Sequence, residues 1–242
     1  MVKKRGYTVA DLFRLKNVTD PQVSPDGRRI TYTVTSIDRD ADNYHSAIWV
    51  AEESSISRQL TQTKGLNSQA RWSPDGRHIA FLSKRSNDTP QLYVMSMEGG
   101  EALQVTTLPR RILEFAWSPN GETIALTSRV SLDDPREDPS APLVITNLRY
   151  KFNGEGYFDT SNTQIFLVKL DGSVPVQLTQ GQFDSTQISW SPDGDTIVFV
   201  SARHESRDRD NVADIWMLPM GNRTPQQLTN SFGDCSVPTF SP

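Results

Sequence analysis

A four-residue turn sequence, Ser-Pro-Asp-Gly or Ser-Pro-Asn-Gly, recurs along this chain and constrains its fold more than any other feature. Proline presets φ at about −65° at the first turn position, Asp or Asn tolerates the bridge or left-handed region, and glycine reaches positive φ without steric cost. Because Asn replaces Asp in one copy, the third position requires turn geometry and not charge. The turns begin at Ser24, Ser73, Ser118 and Ser191, and Ser241 with Pro242 starts a fifth copy.

The spacing of these turns predicts a repeat protein. Successive turn serines lie 49, 45, 73 and 50 residues apart, which gives a unit of about 45 to 50 residues with one insertion. Each unit can be written as four short β-prone runs, and four antiparallel strands make one blade of a β-propeller. We therefore predict an all-β fold, a β-propeller of four-stranded blades, with about four blades and the start of a fifth.

Two further patterns repeat in register with the turn. A tryptophan precedes three of the turns, and we expect these side chains to bury apolar area between neighbouring blades. A pair formed by Leu or Val and Thr recurs near the end of each unit, where it is expected to close the blade. The tryptophans are Trp72, Trp117 and Trp190, and the pairs end at Thr61, Thr106, Thr179 and Thr229.

The ends of the chain differ from the repeats. Residues 1–19 are assigned to a short N-terminal helical segment, with Thr8 as the expected N-cap, and residues 20–242 to an incomplete β-propeller domain with an insertion at about 131–163. Residues 235–242 resemble the innermost strand of a further blade without its partners. We therefore expect the front part of a longer protein, one that is marginally stable or aggregation-prone when expressed alone.

Charge and composition exclude several partners. A net charge of −4 gives no electrostatic footprint for nucleic acid, and no stretch reaches the roughly 18 apolar residues of a membrane span. We expect neither nucleic acid nor membrane as a partner. Cys235 is the only cysteine and no signal peptide follows the basic first residues, so a reducing, cytoplasmic location is expected.

Catalytic and metal-binding motifs are missing from the sequence. It contains no G-x-S-x-G nucleophile elbow, no P-loop and no H-E-x-x-H motif. Asp38, Asp40 and Asp42 match the first half of a calcium loop, but Asn43 and Trp49 stand where glycine and glutamate are required. The three histidines form no catalytic or metal set: His45 and His204 are expected in polar loops and His78 on a strand. We predict no catalytic residue, no metal site and no cofactor here, and a metal-dependent propeller enzyme is poorly supported.

The insertion is the irregular feature with most functional promise. An acidic, proline-rich loop at 133–139 is followed by residues 148–159, in which two glycines among aromatic and charged residues predict a shaped turn. Long loops on rigid scaffolds often carry binding groups. The alternative is a plain extended hairpin that holds neighbouring blades together. The alternating charges of residues 203–210 are interpreted as a solvated loop.

At these residues the chain resembles a known family. The repeated turns, the run from Asp11 to Phe13, and above all residues 148–157 (Leu-Arg-Tyr-Lys-Phe-Asn-Gly-Glu-Gly-Tyr) are similar to the N-terminal part of the prolyl oligopeptidase family of serine peptidases. The bacterial acylaminoacyl-peptidase and dipeptidyl-aminopeptidase group is the branch it most resembles. The similarity runs over essentially the whole chain. Residues 148–157 are its most specific part, since periplasmic Tol-system propellers share the turns.

This resemblance implies a seven-bladed propeller joined to a C-terminal α/β-hydrolase domain that carries Ser, Asp and His. A short peptide substrate and that hydrolase domain are the implied partners, the N-terminal segment would pack on the hydrolase domain, and assembly into a homo-oligomer is left open. The propeller would select substrates. Candidate substrate-binding residues are Arg149 and Glu155, which would clamp a charged peptide terminus, with Tyr150 and Tyr157 as packing groups.

Two functions from different classes remain. The first is the propeller part of a cytoplasmic serine peptidase or oligopeptidase that hydrolyses short peptides. The second is a non-catalytic, Tol-system-like propeller that acts as a protein-binding scaffold. A downstream reading frame that encodes G-x-S-x-G followed by Asp and His would favour the first.

Overall fold

The computed structural model describes residues 5–53, 56–61, 65–86, 89–131, 148, 150–152, 156–157 and 161–241. Within these ranges the regular secondary structure is β-strand, except for one short helix. It divides into two compact units, Met1–Thr107 and Leu108–Pro242.

Among the described residues, the strands form four four-stranded antiparallel sheets, two in each unit, and one two-stranded hairpin. The first unit contains β1 (Lys16–Val23), β2 (Arg29–Asp38), β3 (Asn43–Glu52) and β4 (Arg58–Gln59), then β5 (Asn67–Trp72), β6 (His78–Ser83), β7 (Gln91–Ser96) and β8 (Leu103–Gln104). The second contains β9 (Ile112–Trp117), β10 (Thr123–Ser131), the hairpin β11 (Lys151–Phe152) and β12 (Gly156–Tyr157), β13 (Ser161–Lys169), β14 (Val176–Gln177), β15 (Thr186–Trp190), β16 (Thr196–Ser201), β17 (Asp214–Pro219) and β18 (Gln226–Gln227). Strand order in each four-stranded sheet follows the chain, as in a propeller blade, so the predicted all-β fold of four-stranded blades is confirmed.

The hydroxyl group of the serine closes each recurring turn. Ser191 Oγ donates to Asp193 Oδ1 at 2.5 Å and accepts from the backbone N–H of Thr196 at 3.0 Å, while Gly194 has a φ of 77°. The other three turns make the same two bonds. In one of them Asn120 Oδ1 takes the place of the carboxylate at 2.6 Å. The prediction that this position requires geometry and not charge is confirmed.

A threonine hydroxyl ties the end of each sheet to its third strand. Thr179 Oγ1 accepts from the backbone N–H of Ile165 at 2.9 Å and donates to Gln164 Oε1 at 2.8 Å. Thr179 and Gln164 are both buried, so these bonds form in a low-dielectric interior. The same acceptor bond joins Thr61 to Ile48, Thr106 to Leu92 and Thr229 to Ile215. The recurring threonine therefore closes each blade, as the sequence predicts.

Tryptophan side chains join consecutive sheets inside each unit. Trp72 Nε1 donates to the carbonyl oxygen of Gln22 at 3.1 Å, and Trp190 Nε1 donates to that of Ala116 at 3.2 Å. Both acceptors lie two residues before the turn serine of the preceding blade, so the two bonds are equivalent. Trp72 is 8% exposed, whereas Trp117 and Trp190 are half-buried. The expected packing between neighbouring blades is thus observed for Trp72 and Trp190.

Each unit has its own apolar cluster, supplied mainly by the second and third strands of its sheets. Four of these strands, β6, β7, β16 and β17, carry near-continuous apolar runs, which are typical of strands covered on both faces. The first cluster contains Ile48, Val50, Ala70, Trp72, Ile79, Phe81 and Tyr93. The second contains Ala125, Ile165, Leu178, Ile197, Phe199 and Leu218.

The N-terminal segment is a six-residue 3-10 helix, Val9–Arg14. Thr8 is its N-cap, as predicted: Asp11 Oδ2 accepts from the Thr8 backbone N–H at 2.8 Å and from its hydroxyl at 2.9 Å. The Arg5 guanidinium beside Asp11 holds the pKa of that carboxyl well below its usual range. Strand β1 already begins at Lys16, so the helix does not reach residue 19. None of the described helical structure is long and apolar enough to cross a membrane.

The last described residues repeat one detail of the earlier innermost strands. Val237 has a left-handed backbone with φ of 52°, and it lies four residues before Ser241. Asp20, Gln69 and Gln187 have φ between 53° and 55° at the same distance before their own turn serines. No strand is assigned from residue 235 to 241, although Ala213 forms a parallel bridge with Asp234.

The threonine bridge can be tested by Thr179→Val, which removes the hydroxyl and keeps the β-branched shape. The change leaves the buried N–H of Ile165 without its acceptor and Gln164 without its donor. We expect it to lower the free energy of unfolding by about 2 to 4 kcal/mol, measured by urea denaturation followed by tryptophan fluorescence.

The matched control is Thr196→Val, at a half-buried strand position of the same unit. Its expected change is within about 0.5 kcal/mol. Equal free energies of unfolding for the two variants would show that the hydroxyl of Thr179 does not close its blade.

Candidate functional site

The insertion connects the end of β10 to the start of β13 in the third sheet. These strands pair without interruption from Thr123 opposite Lys169 to Ser131 opposite Ser161. The insertion predicted at about 131–163 is therefore an extension of a regular hairpin connection. Its described part forms a second, smaller hairpin, in which β11 pairs with β12 through Lys151 opposite Tyr157. The turn between these two strands, residues 153–155, lies outside the described residues, so the shaped turn stays a prediction, and the paired strands have the form of the alternative extended hairpin.

Two of the four candidate substrate-binding residues can be placed. Tyr150 is 46% exposed and directly precedes β11, and Tyr157 lies in β12 opposite Lys151. Both tyrosines thus belong to the base of one hairpin. Arg149 and Glu155 lie outside the described residues. The binding roles of all four residues remain predictions.

A compact turn of residues 203–210 contacts the insertion. Asp208 Oδ2 accepts from the backbone N–H of Leu148 at 2.7 Å, across 60 residues of sequence. Asp210 Oδ2 accepts from Ser206 Oγ at 2.8 Å, and Asp210 Oδ1 accepts from the backbone N–H of Val212 at 3.1 Å. His204 Nε2 lies 2.9 Å from the same Oδ1. These groups, led by the Val212 N–H, lower the pKa of Asp210. The segment expected to be a solvated loop is a hydrogen-bonded turn.

Arg203, at the base of this turn, is packed among aromatic rings. Its guanidinium carbon lies 4.2 Å from the ring centroid of Phe183, 4.3 Å from that of Trp216 and 5.3 Å from that of Phe199. Its Nε donates to Ser201 Oγ at 3.1 Å, whereas Nη2 is buried and has no hydrogen-bond partner among the described residues. Burial lowers the pKa of Arg203 to about 10, so the side chain stays charged at neutral pH.

Phe183 is held in place by the third sheet. Gln164 Nε2 donates to the carbonyl oxygens of Gly181 at 3.0 Å and Phe183 at 3.1 Å. Gly181 has a φ of 126°, and a Cβ at this position would lie 2.5 Å from the Phe183 ring. Only glycine therefore fits at residue 181 while Phe183 covers Arg203.

The second sheet contains a related arginine stack. The guanidinium carbon of Arg85 lies 4.7 Å from the ring centroid of Tyr93 and 5.1 Å from that of Phe81, and its Nε donates to Ser83 Oγ at 3.2 Å. Burial lowers the pKa of Arg85 as well. Arg85 and Arg203 both follow a strand-ending serine by two positions. This Ser-x-Arg pattern was the sequence signal that could have identified both stacks.

Glu114 is a titratable group that the sequence interpretation missed. Its Oε1 accepts from the backbone N–H of Gln187 at 2.6 Å and from Thr127 Oγ1 at 3.4 Å. Burial raises the pKa of the Glu114 carboxyl. Gln187 Oε1 in turn accepts from the backbone N–H of Val237 at 2.5 Å. Side chains at one repeated position therefore link three successive innermost segments of the second unit.

The three histidines lie in or next to three different sheets. His45 lies in β3, not in a loop, and its Nδ1 accepts from the backbone N–H of Gly65 at 3.2 Å. His204 and Ser206 both bond to Asp210 and not to each other, so they are not a nucleophile and its base. In the part of the chain that the structure describes, no group of three or more His, Cys, Asp or Glu side chains could hold a metal ion.

The four-stranded blades, with turns closed by serine and outer strands closed by threonine, define this chain as a β-propeller. It belongs to the family of TolB beta propeller domains, whose family model matches residues 7–134. Among curated proteins, "Uncharacterized peptidase YuxL" of Bacillus subtilis is 34% identical over 223 residues, which cover 89% of this chain and 34% of the relative.

Solved structures show the same fold. The acylaminoacyl peptidase of Pyrococcus horikoshii matches with a TM-score of 0.71 at 19% identity, over 90% of this chain and 33% of that protein. TolB from Acinetobacter baumannii matches with a TM-score of 0.55 at 17% identity, over 92% of this chain and 56% of that protein. The chain thus spans about a third of the length of these peptidases. The comparisons support the resemblance to the propeller portion of the prolyl oligopeptidase family.

Glu114→Gln should weaken the pH dependence of stability. A raised pKa means that the folded state favours the protonated carboxyl. Protonation of the Glu114 carboxyl therefore adds to the free energy of unfolding. This contribution is complete below the ordinary pKa of 4.5 and is lost as the pH rises through the raised pKa of the folded state. Glutamine keeps an oxygen for the Gln187 N–H and carries no charge. Urea denaturation from about pH 4 to pH 8 should show a smaller loss of stability for this variant than for the wild type.

Glu205→Gln, an exposed substitution in the same unit with the same charge change, is the control. It should keep the pH dependence of the wild type. If both variants follow the wild-type curve, Glu114 is not the buried titrating group described here.

Proposed function

We propose that this chain is the propeller portion of a serine peptidase or oligopeptidase of the prolyl oligopeptidase family, of the acylaminoacyl-peptidase or dipeptidyl-aminopeptidase type. The observation that carries this proposal is the 34% identity to a curated peptidase over 89% of the chain. The TM-score supports it, since it is 0.71 for an acylaminoacyl peptidase and 0.55 for a TolB protein. The substrate class proposed is short peptides.

The propeller would gate and position the peptide. The exposed Tyr150 directly precedes the hairpin and Tyr157 lies in its second strand, while Leu148, two residues before Tyr150, bonds to the 203–210 turn. We assign Arg149 and Glu155 to the clamping of a charged peptide terminus, because a charge-assisted pair in a sheltered site is strong and directional. The tyrosines would pack against the peptide, since an aromatic ring supplies contact area at low entropic cost.

The reacting groups are assigned to another part of the parent protein. Acyl transfer to serine requires a nucleophile, a histidine base and an oxyanion hole, and the sequence has no nucleophile elbow. We propose that a C-terminal α/β-hydrolase domain of the same parent chain supplies these groups and is the main partner of the propeller. The single cysteine supports a reducing, cytoplasmic location.

The second candidate function is a non-catalytic, protein-binding scaffold of the TolB type. It is favoured by the description of the matching family and by the larger share of the TolB chain that is covered, 56% against 33% of the peptidase. Both readings use the same blades. They differ in whether a reactive serine belongs to the parent protein.

Intact mass and labelling by a fluorophosphonate probe separate the two functions. The protein is isolated from its source, so that its mass is that of the natural product. The probe reacts only with an activated serine, so labelling reports a working hydrolase site. We expect a labelled species well above 27.2 kDa, the mass of this chain. A sample denatured before labelling is the control and should carry no label.

An unlabelled species of 27.2 kDa would contradict the peptidase proposal and leave the binding scaffold. A heavier species without label in the native sample would also contradict it, since an intact hydrolase domain should react. A labelled species would direct the next experiments to peptides with free and with acylated N-termini.

A further inference from the structure

The 203–210 turn presents two aspartates with different surroundings. Asp210 bonds within its own turn, to Ser206 and to the backbone N–H of Val212. Asp208, two residues earlier, directs Oδ2 to the backbone N–H of Leu148 at 2.7 Å. The first carboxylate therefore shapes the turn, and the second reaches out to the insertion.

The side chain of Leu148 is 66% exposed, so its own burial contributes little to holding the insertion on the blade. A hydrogen bond from a backbone N–H to a carboxylate is charge-assisted and roughly twice as strong as a neutral one. Leu148 also lies three residues before Lys151, where β11 begins. The bond is thus placed where it can fix the direction in which the chain enters the hairpin.

The Asp208 carboxylate is held in advance by the turn around it. The backbone N–H of Arg209 donates to the carbonyl oxygen of Ser206 at 2.7 Å, and that of Arg207 donates to the carbonyl oxygen of His204 at 3.3 Å. At the base, Arg203 is packed against Phe183 and Trp216. A turn fixed in this way loses little further conformational entropy when it binds the insertion.

We infer that Asp208 is a positioning residue. Its carboxylate fixes the arm of the insertion, meaning the chain at Leu148 just before β11, and so sets the direction of the β11–β12 hairpin relative to the fourth blade. The direction of the bond depends on the acceptor oxygen, and the negative charge adds to its strength. An asparagine at residue 208 keeps an acceptor of the same shape, whereas an alanine does not.

This inference rests on the proposed function only for the role of the hairpin in selecting peptides. If the insertion contacts a peptide, Asp208 determines where Tyr150 and Tyr157 stand, and thereby which short peptides are accepted. The anchoring itself is independent of whether the parent protein is a peptidase.

The test is limited proteolysis of the 242-residue chain by trypsin, with fragments identified by mass spectrometry. Lys151 is a trypsin site three residues after the anchor, and cleavage there follows the population in which the arm is released. We expect Asp208→Ala to accelerate cleavage after Lys151 by about tenfold or more, the effect of losing a hydrogen bond to a charged group. Asp208→Asn should be cleaved more slowly than the alanine variant, because it keeps an acceptor, but faster than the wild type, because it loses the charge.

Asp195→Ala is the matched control, because it removes an exposed aspartate at the opposite end of β16. Trypsin should cleave this control at the wild-type rate. The urea midpoint of Asp208→Ala should equal that of the control. Equal midpoints would separate a local release of the arm from a general loss of stability.

Three results would overturn the inference. One is equal cleavage after Lys151 in Asp208→Ala and the control. Another is an Asp208→Asn variant that cleaves as fast as the alanine variant, since the acceptor would then not be the cause. The third is a lowered urea midpoint with faster cleavage along the whole chain. None of these readouts involves peptidase activity, so failure here is distinct from failure of the proposed function.

Discussion

The hydroxyl group of one threonine in each blade supports the part of the sheet that is weakest by itself. The outermost strands β4, β8, β14 and β18 are only two residues long, so each forms few ladder bonds. Thr179 adds a bond to the third strand from just beyond β14, and Gln177 donates to the carbonyl oxygen of Thr179 at 2.7 Å. A short edge strand is thereby fixed by side chains, which also limits the exposed edge that could pair with other chains.

Bonds between blades use side chains of the innermost strands. Inside each unit an indole N–H reaches the carbonyl group of the preceding blade, from Trp72 in the first and from Trp190 in the second. In the second unit Glu114 and Gln187 add bonds to the left-handed positions of the following segments. No described residue of the insertion takes part in these repeated bonds. This is the physical reason to look for binding groups there.

The features that repeat were predictable from the sequence, and the features that depend on distant contacts were not. The turn serines, the closing threonines and Trp72 recur with the period of the repeat. The turn could also be predicted from the backbone preferences of proline, Asp or Asn, and glycine. Arg203 was counted among solvated charges because its neighbours in sequence are polar, but Phe183 and Trp216 cover it in space.

Other differences arise from pairing and from helix length. His45 lies in a strand because β2 and β3 continue pairing as far as Asp38 opposite Asn43, beyond the apolar residues that mark them. The N-terminal segment is a 3-10 helix and not a longer one, because the chain joins the first sheet at Lys16. Of the candidate site, the short hairpin of β11 and β12 has the form of the extended hairpin that the sequence left open as an alternative. The anchoring by Asp208 could not, since it joins residues 60 positions apart.

The central claim is that one repeated threonine bridge holds every blade closed, and native-state hydrogen exchange tests it most directly. The amide protons of Ile48, Leu92, Ile165 and Ile215 are bonded to these hydroxyl groups. NMR on the labelled chain should find all four among the slowest to exchange, because their release requires a blade to open. Exchange as fast as that of the exposed Thr224 amide, which bonds only to the nearby Asn222 side chain, would contradict the account.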